Sequence, residues 1–298
     1  MKVLVTGALG ELGSDLCPQL ARGLQVRRTD LRAARLVGAD DYVRADLTRP
    51  DQLPALVEGM DAVVHFAALL PHDYTTEEFM DSNAKATTLL AEAAADAGVK
   101  RFVYASTIWA TGHGQQEGRQ PIDEDSPWRP IEMYGHTKLL GEVSCEYFAR
   151  NRGLSVVVLR LGGYHRQPAA RPEGGIDWER VHWPLIAQDS VLPGQRLFDP
   201  ADLGRAVAAA LSAEDVSFRR YLIGQPLPFA PGDAEALRTD TLAVLDRYWP
   251  GAAEMAAEIG WQPRTLERWY DTGRAERELG FRAATDLGEV IRHYQARG

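Results

Sequence analysis

Short apolar runs alternate with longer amphipathic stretches along the first two thirds of the chain, and the two periods predict different elements. Val3-Leu4-Val5 is too brief for a helix and fits a buried parallel strand. Glycines at positions 7, 10 and 13 then turn the chain into a helical run from Ser14 to Leu20. Gln25 to Thr29 predicts a second strand and Asp41 to Ala45 a third. A helix over residues 51–58 leads to the apolar run 61–68, a strand ending in small residues against which a flat ring can lie. The Ala-rich stretch 76–97 predicts a long helix stopped by Gly98, and 100–105 the next strand. A helix over 133–151 ends at Gly153, and 154–161 forms a further strand. Residues 199–212 predict a helix, 221–223 a strand, and 225–298 a mostly helical remainder.

Strands alternating with helices predict an α/β fold built on a doubly wound parallel sheet. Ligands of such sheets bind outside the carboxyl ends of the strands, and Gly7, Asp30, Asp46, Ala67 and Thr107 all follow strand ends. The Gly-, Gln- and Pro-rich stretch 112–130 reads as an exposed loop, and the Pro/Arg/Gly-rich stretch 166–175 breaks the regular pattern. The expected organisation is a dinucleotide-binding domain over 1–162, to which 197–224 return. A smaller, mostly helical substrate lobe takes 163–196 and 225–298.

Composition narrows the function. With 45% hydrophobic and 25% charged residues the chain reads as globular, and a net charge of -9 argues against a general nucleic-acid binder. No apolar run approaches the ~20 residues of a membrane span. A first strand beginning at Lys2 leaves no room for a signal peptide. Cys17 and Cys145 are the only cysteines and have no metal-ligand spacing, so a reduced, cytoplasmic protein without a metal site is expected. Lysine occurs only at positions 2, 85, 100 and 138, so Arg supplies 29 of the 33 basic residues. Arginine cannot act as a compact, titratable ammonium, which singles out Lys138.

Two groups of residues carry chemistry. Gly7 can take backbone angles closed to other residues, Gly10 lets an anion approach the main chain, and Gly13 lets the helix pack close. The helix N-terminus then favours a negative ligand, such as a pyrophosphate. GxxGxxG alone fits a Gly-rich turn equally well. Asp30, 17 residues after Gly13, stands near the offset at which a carboxylate accepts hydrogen bonds from a ribose. Its charge repels a 2′-phosphate and favours NAD, while Arg27, Arg28 and Arg32 nearby keep NADP open. Tyr134 and Lys138, four apart, share a helix face. An ammonium beside the phenol, with the positive nicotinamide ring, would lower its pKa and make it a base, and Thr107 can hydrogen-bond the same substrate oxygen. Tyr-x-x-x-Lys alone also fits an ordinary surface helix. His65 reads as a satisfied core histidine, and His72, Trp109, His113, His165 and Arg166 fall on loops bordering the expected pocket.

Together the motifs are Thr6-Gly7-x-x-Gly10-x-x-Gly13, Asp30, Asp46-Leu47, His65-x-Ala67-Ala68, Asn83 and Val103-Tyr104-x-Ser106-Thr107. They continue through Glu124-x-x-Pro127-x-x-Pro130-x-x-x-Tyr134-Gly135-x-x-Lys138-x-x-x-Glu142 to Leu159-Arg160. In this order they resemble the extended short-chain dehydrogenase/reductase family, the NAD-dependent epimerase/dehydratase group, from Met1 to about Arg160. Asp202-Leu203, Arg205-Ala206 and 275–280 resemble its weaker C-terminal signatures. The resemblance implies a Rossmann sheet with Thr107, Tyr134 and Lys138 as catalytic trio, Lys138 also holding the nicotinamide ribose. It implies an NAD site formed by Gly7, Gly10, Glu11, Leu12, Gly13, Asp30, Asp46, Leu47, Phe66, Ala67, Ala68, Asn83, Ala105, Tyr134, Lys138 and Leu161. It also implies a homodimer that pairs helices 76–97 and 133–151 with their copies. The chain departs from the family at Arg160-Leu161-Gly162-Gly163, where nucleotide-sugar members carry Asn after Arg-Pro-Gly, and at Ala110-Thr111-Gly112, where Val-Tyr-Gly is usual. Dehydratases place Asp-Glu after the catalytic Thr, and Ile108-Trp109 stand there instead, which argues against dehydration. The expected function is an NAD-dependent oxidoreductase acting on a secondary alcohol or ketone of a sugar, sugar acid or similar small molecule. A (nucleotide-)sugar epimerase and a non-catalytic dinucleotide sensor are the alternatives, and neither nucleic acid nor membrane is an expected partner.

Overall fold

Val3, Leu4 and Val5 have no exposure at all, because their strand is covered on both sides by other strands and on both faces by side chains. Each such fully buried side chain contributes roughly 1.5–3 kcal/mol relative to exposure. The computed structural model describes residues 1–33, 41–114, 120–164, 168–171, 175–191, 195–197 and 199–297. Seven strands form one sheet: β1 Lys2–Thr6, β2 Gln25–Asp30, β3 Tyr42–Arg44, β4 Ala62–His65, β5 Arg101–Thr107, β6 Val156–Leu161 and β7 Phe218–Ile223. Their order is β3-β2-β1-β4-β5-β6-β7, with parallel pairing across the first five. The order reverses beside β1, the switch point at which such sheets open a ligand crevice.

The helices are α1 Glu11–Leu20, α2 Leu53–Val57, α3 Thr76–Phe79, α4 Ala86–Asp96, α5 Met133–Arg152, α6 Trp183–Asp189 and α7 Pro200–Ser212. They continue as α8 Ala234–Thr239, α9 Thr241–Tyr248, α10 Ala252–Ile259, α11 Gly273–Leu279 and α12 Leu287–Gln295. The sequence predicts one helix over 76–97. The structure has α3, a π-helical turn over Met80–Lys85, and α4 in one continuous run. Thr75 opens it with a reciprocal cap to Glu78.

Two compact units divide the chain. The first comprises Met1–His113, Pro127–Arg160 and Gly204–Tyr221, and the second comprises Gly114–Ser126, Leu161–Leu203 and Leu222–Gly298. One face of the sheet in the first unit packs Leu4, Val63, Phe102 and Val158 against Leu90, Ala94 and Phe148 from α4 and α5. The second unit has its own core of Ile186, Leu245, Met255, Trp269, Leu287 and Ile291.

The reading of 112–130 as an exposed loop holds at Asp125 and over 127–129 and is corrected within 120–126. Ile122, Glu124 and Ser126 are buried. Ile122 bridges to Tyr270, and Glu124 accepts the Leu222 N–H at 2.9 Å and pairs with Arg274. Partners about a hundred or more residues away satisfy its polar groups, and that alone lets such a segment leave water.

Candidate active site

The glycine turn is set by close backbone approaches. Gly7 has φ +65°, and a Cβ there would lie 2.7 Å from the Ala67 nitrogen, where the chain leaves β4. A Cβ on Gly13 would lie 2.3 Å from the Gly7 carbonyl oxygen, so α1 rests directly on the turn. Gly10 donates its N–H to Gly7 O at 3.0 Å and caps α1, whose first turn is Glu11, Leu12 and Gly13. The positive end of α1 therefore meets the loop that bends closest to the sheet.

Beside it lies a cleft of about 400 Å³ lined by Gly7, Gly10, Asp30, Asp46, Leu47, Phe66, Ala67 and Ala68, all nominated from the sequence. That volume is within the range of small-molecule and cofactor sites. Arg32, noted in the sequence for its charge, also lines the cleft, as do Leu31, Thr48, Leu69, Tyr74 and Ser82, which were not singled out. Leu31 follows the strand end at Asp30, which was the available signal. Asp30 Oδ2 accepts the Leu9 N–H at 3.0 Å, and Oδ1 accepts the Arg32 N–H at 3.1 Å and Nε at 3.0 Å. Burial pushes this carboxyl up, but the Arg32 side chain and the two N–H groups outweigh it and hold it below its ordinary value. Arg27 turns away, to Asp41 and the Leu56 carbonyl. Arg32 is the basic side chain on the rim, already committed to Asp30.

Other nominated residues sit deeper. Asn83, in the π-helical turn, is fully buried, and its carboxamide is spent on the Leu69 N–H (2.7 Å), the Leu69 carbonyl (3.0 Å) and Thr137 Oγ1 (3.2 Å). Ala105 lies buried within β5, and Leu161 buried at the end of β6. His65 is the satisfied core histidine the sequence predicts: Nδ1 meets Thr6 Oγ1 at 2.7 Å and Nε2 meets Thr87 Oγ1 at 2.9 Å. Thr87 donates to the Asn83 carbonyl and so accepts from Nε2–H. Thr6 accepts the Ala67 N–H and donates to Nδ1. The chain of bonds runs one way only, which fixes the tautomer, and burial keeps the imidazole neutral.

Thr107 ends β5, and its Oγ1 accepts the Trp109 N–H at 3.2 Å. Tyr134 stands in the first turn of α5, with the Thr107 side chain favouring its ionised form and the Trp109 ring edge-on, centroids 5.8 Å apart. A Cβ on Gly135 would lie 2.5 Å from the Trp109 carbonyl oxygen, so α5 begins pressed against the turn that follows β5. Lys138 is buried one helical turn further, with Nζ 4.2 Å above the centroid of the Tyr104 ring. Desolvation lowers its pKa to about 7, against the Cys145 and Glu142 side chains. Desolvation pushes the Tyr134 phenol up to about 12, with the Glu132 carboxylate adding to the rise and Thr107 opposing it. The Lys138 Nζ sits over the Tyr104 ring, and in the chain alone Glu132 is the charged side chain that raises the Tyr134 phenol.

The roll of α5 is fixed by a buried ion cluster. Glu142 has no exposure and pairs bidentately with Arg160 at 2.9 and 2.8 Å. It also accepts from Arg220 at 2.8 Å and from Ser106. Side chains from β5, β6 and β7 thus hold the helix one turn beyond Lys138. Of the loop residues nominated as pocket borders, Trp109 touches Tyr134, and His72 is exposed beside Tyr74. His165, Arg166 and the side chain of His113 lie outside the described residues.

Residues 3–165 match the NAD dependent epimerase/dehydratase family. A uronate dehydrogenase of Pseudomonas putida is 31% identical over 56% of this chain and 62% of its own length, so the chain spans less than two thirds of that relative. An uncharacterized UDP-glucose epimerase of Bacillus subtilis is 28% identical over 98% of this chain and 96% of its own. The crystal structure of a short-chain dehydrogenase/reductase superfamily protein from Agrobacterium tumefaciens, with bound NAD, superposes with a TM-score of 0.71 at 21% identity, covering 100% of this chain and 98% of that one. With a family match over more than half its length, a tight glycine turn and an acidic residue at the end of β2, the chain belongs to the NAD-dependent epimerase/dehydratase family, enzymes of the short-chain dehydrogenase/reductase type.

Proposed function

We propose that the chain is an NAD-dependent oxidoreductase that interconverts a secondary alcohol and a ketone on a sugar, sugar acid or similar small molecule, with Thr107, Tyr134 and Lys138 as catalytic residues. The observation that carries this reading is the Tyr134 phenol beside Thr107 at the carboxyl end of β5, one helical turn from a buried lysine. Bound NAD supplies the hydride acceptor or donor. The chain's own residues work on the oxygen: Thr107 holds the substrate oxygen beside the phenol, and Tyr134 takes the carbinol proton or returns it. Positioned proton transfer contributes roughly 10²–10⁴ in rate. Gly7, Gly10 and the first turn of α1 (Glu11, Leu12, Gly13) would hold the pyrophosphate, Asp30 the adenosine ribose, and Asp46 and Leu47 the adenine beyond it. Phe66, Ala67, Ala68, Ala105 and Leu161, with Lys138 at the second ribose, would border the nicotinamide half, and Asn83 would brace that wall through Leu69.

The uronate dehydrogenase relative supports net oxidation, and the near full-length match to a protein named as a UDP-glucose epimerase supports the second reading, epimerisation with NAD retained. Ile108-Trp109 after Thr107 supply no carboxylate for dehydration. We further read the protein as a cytoplasmic homodimer. No helix among the described residues is long and apolar enough to cross a membrane, and α5 leaves Val143 and Tyr147 exposed.

The test is to incubate the protein with NAD and a panel of aldoses, uronic acids and nucleotide sugars, following NADH absorbance and product together. NADH formed in proportion to product supports the oxidoreductase. A substrate that changes configuration with no NADH released replaces it by the epimerase, and Tyr134→Phe turning over like the unmodified protein removes the proposed trio.

A further inference from the structure

At the end of β2 the carboxylate assigned to the adenosine ribose is already fully engaged. Asp30 Oδ1 accepts the Arg32 N–H at 3.1 Å and Arg32 Nε at 3.0 Å, while Oδ2 accepts the Leu9 N–H at 3.0 Å and Arg32 Nη2 at 3.2 Å. A carboxylate offers about four lone-pair sites, two on each oxygen. Main-chain N–H groups fill one site on each oxygen, and a single forked guanidinium fills the other. A ribose hydroxyl that donates to Asp30 must therefore displace a donor already in place.

The main-chain donors are tied down. Leu9 lies in the glycine turn, where the Ala8 N–H is bonded to the Thr29 carbonyl at 3.1 Å and Gly7 presses on Ala67. The main chain at Arg32 is held from β3: the Tyr42 hydroxyl donates to the Arg32 carbonyl, and Arg44 Nε donates to the Leu31 carbonyl at 2.8 Å. The guanidinium is the donor that can leave. The Arg32 side chain is 61% exposed and that of Asp30 only 9%. An arginine so exposed regains water on leaving, and an ion pair of this kind is weak. Both residues line the same cleft.

We propose that Arg32 is a latch on the ribose position of the dinucleotide cleft, its guanidinium filling Asp30 until a ribose hydroxyl takes its place. The inference rests on the reading of Asp30 as the ribose acceptor and goes beyond it by assigning that acceptor a built-in competitor. Main-chain donors stay on Asp30 throughout, so the carboxylate keeps its orientation while one fork is exchanged for another. NAD and NADH both bind against the ion pair, which closes again behind whichever leaves. An oxidoreductase exchanges its cofactor at every turnover, and such a competitor favours exchange. An epimerase that retains NAD gains nothing from it. A ligand without hydroxyls at this ribose leaves the latch closed and binds without competition.

The probes are adenosine and 2′,3′-dideoxyadenosine. Both are uncharged, so the attraction of Arg32 for phosphate does not enter. Each is titrated against bound NADH, followed by its fluorescence, in the unmodified protein and in Arg32→Ala. The variant should bind adenosine roughly two- to fivefold more tightly, the range open to an exposed ion pair, and 2′,3′-dideoxyadenosine as before. Salt tests the same point in the unmodified protein. Between about 0.01 M and about 1 M the Debye length falls from roughly 30 to 3 Å. Adenosine should gain on dideoxyadenosine across that range, and should not do so in Arg32→Ala. A crystal structure with NAD should place Arg32 Nε and Nη2 off Asp30, with ribose hydroxyls in their stead. An equal preference for adenosine over dideoxyadenosine in the two proteins overturns the proposal, as does a guanidinium still forked on Asp30 beside a bound ribose. Weaker adenosine binding by Arg32→Ala overturns it too, since Arg32 would then hold the ligand. Failure of the underlying reading looks different: the two nucleosides then bind equally well to Arg32→Ala, where Asp30 is free of the guanidinium.

Discussion

Lys138 is placed where a lysine opposes folding, and the size of the effect can be worked out. The side chain is 2% exposed, and desolvation brings its pKa from 10.5 to about 7. The unfolded chain keeps the proton on this lysine up to pH 10.5, whereas the folded chain releases it near 7. Between those values the unfolded state binds more protons, so stability rises with pH across the window. At about 1.4 kcal/mol per pH unit, the lysine destabilises the fold by about 4 kcal/mol at pH 7 and by less than about 1 kcal/mol at pH 10.5. Against this stands the cation–π contact with Tyr104, at most about 2 kcal/mol for a desolvated pair. Lys138→Met, similar in length and uncharged, should therefore stabilise the protein by about 2 kcal/mol at pH 7. By pH 10.5 the two proteins should be nearly equal, because the neutral amine has lost both the penalty and the contact. Urea unfolding of both proteins at the two pH values measures this, with the midpoint moving and the slope unchanged. A variant less stable than the unmodified protein at pH 7, or a difference that does not change with pH, would refute the reasoning. Under the proposed mechanism the same substitution abolishes turnover, the trade-off expected where a strained group is kept for chemistry.

Tyr134→Phe should leave NAD binding nearly intact and lower turnover by roughly 10² or more, since only the proton-transfer group is lost; turnover within a few-fold of the unmodified protein would sink that role. Asp30→Ala should weaken NAD binding and relax discrimination against NADP, because it removes the acceptor and also frees Arg32 from its ion pair. Tighter binding of NADP than NAD by the unmodified protein, measured by calorimetry, would mean that Arg32 already reaches a 2′-phosphate. Light scattering at micromolar concentration should return twice the 32.9 kDa chain mass, and Val143→Glu combined with Tyr147→Glu should return a single chain. A single-chain mass for the unmodified protein would rule the dimer out.

What could be read locally from the sequence is what local physics decides. The glycine turn, the strand ends and the alternation of elements each depend on a few adjacent residues, and the sheet of seven strands follows from them. The turn after β5 was illegible for the opposite reason. Ile108–Gly114 forms a 3-10 helix although it carries Gly112 and Gly114 and no helical period. Gly112 is there because the Arg129 carbonyl comes within 1.8 Å of where its Cβ would be, a constraint that lies outside the segment itself. Residues 120–126 likewise look like a solvated loop until Tyr270, Leu222 and Arg274 supply their partners.

The face of α5 that carries Tyr134 and Lys138 shows the same division within one helix. Spacing alone places Tyr134 and Lys138 on one side of α5. Spacing does not say what each side chain then meets, because that is set by strands entering from elsewhere in the chain. Tyr104, on β5, receives the Lys138 ammonium, and a Cβ on Gly141 would fall 2.2 Å from the Tyr104 hydroxyl, so only glycine lets the helix settle at that depth. Glu142 then locks the roll through Arg160 and Arg220, and removing either arginine would leave a buried carboxylate short of a partner at roughly 3–5 kcal/mol. The depth and roll that bury Lys138 also place its Nζ over the Tyr104 ring. The electrostatics of the site thus follow from how far α5 sinks onto β5, a distance decided by Gly135 and Gly141 rather than by the charged residues themselves.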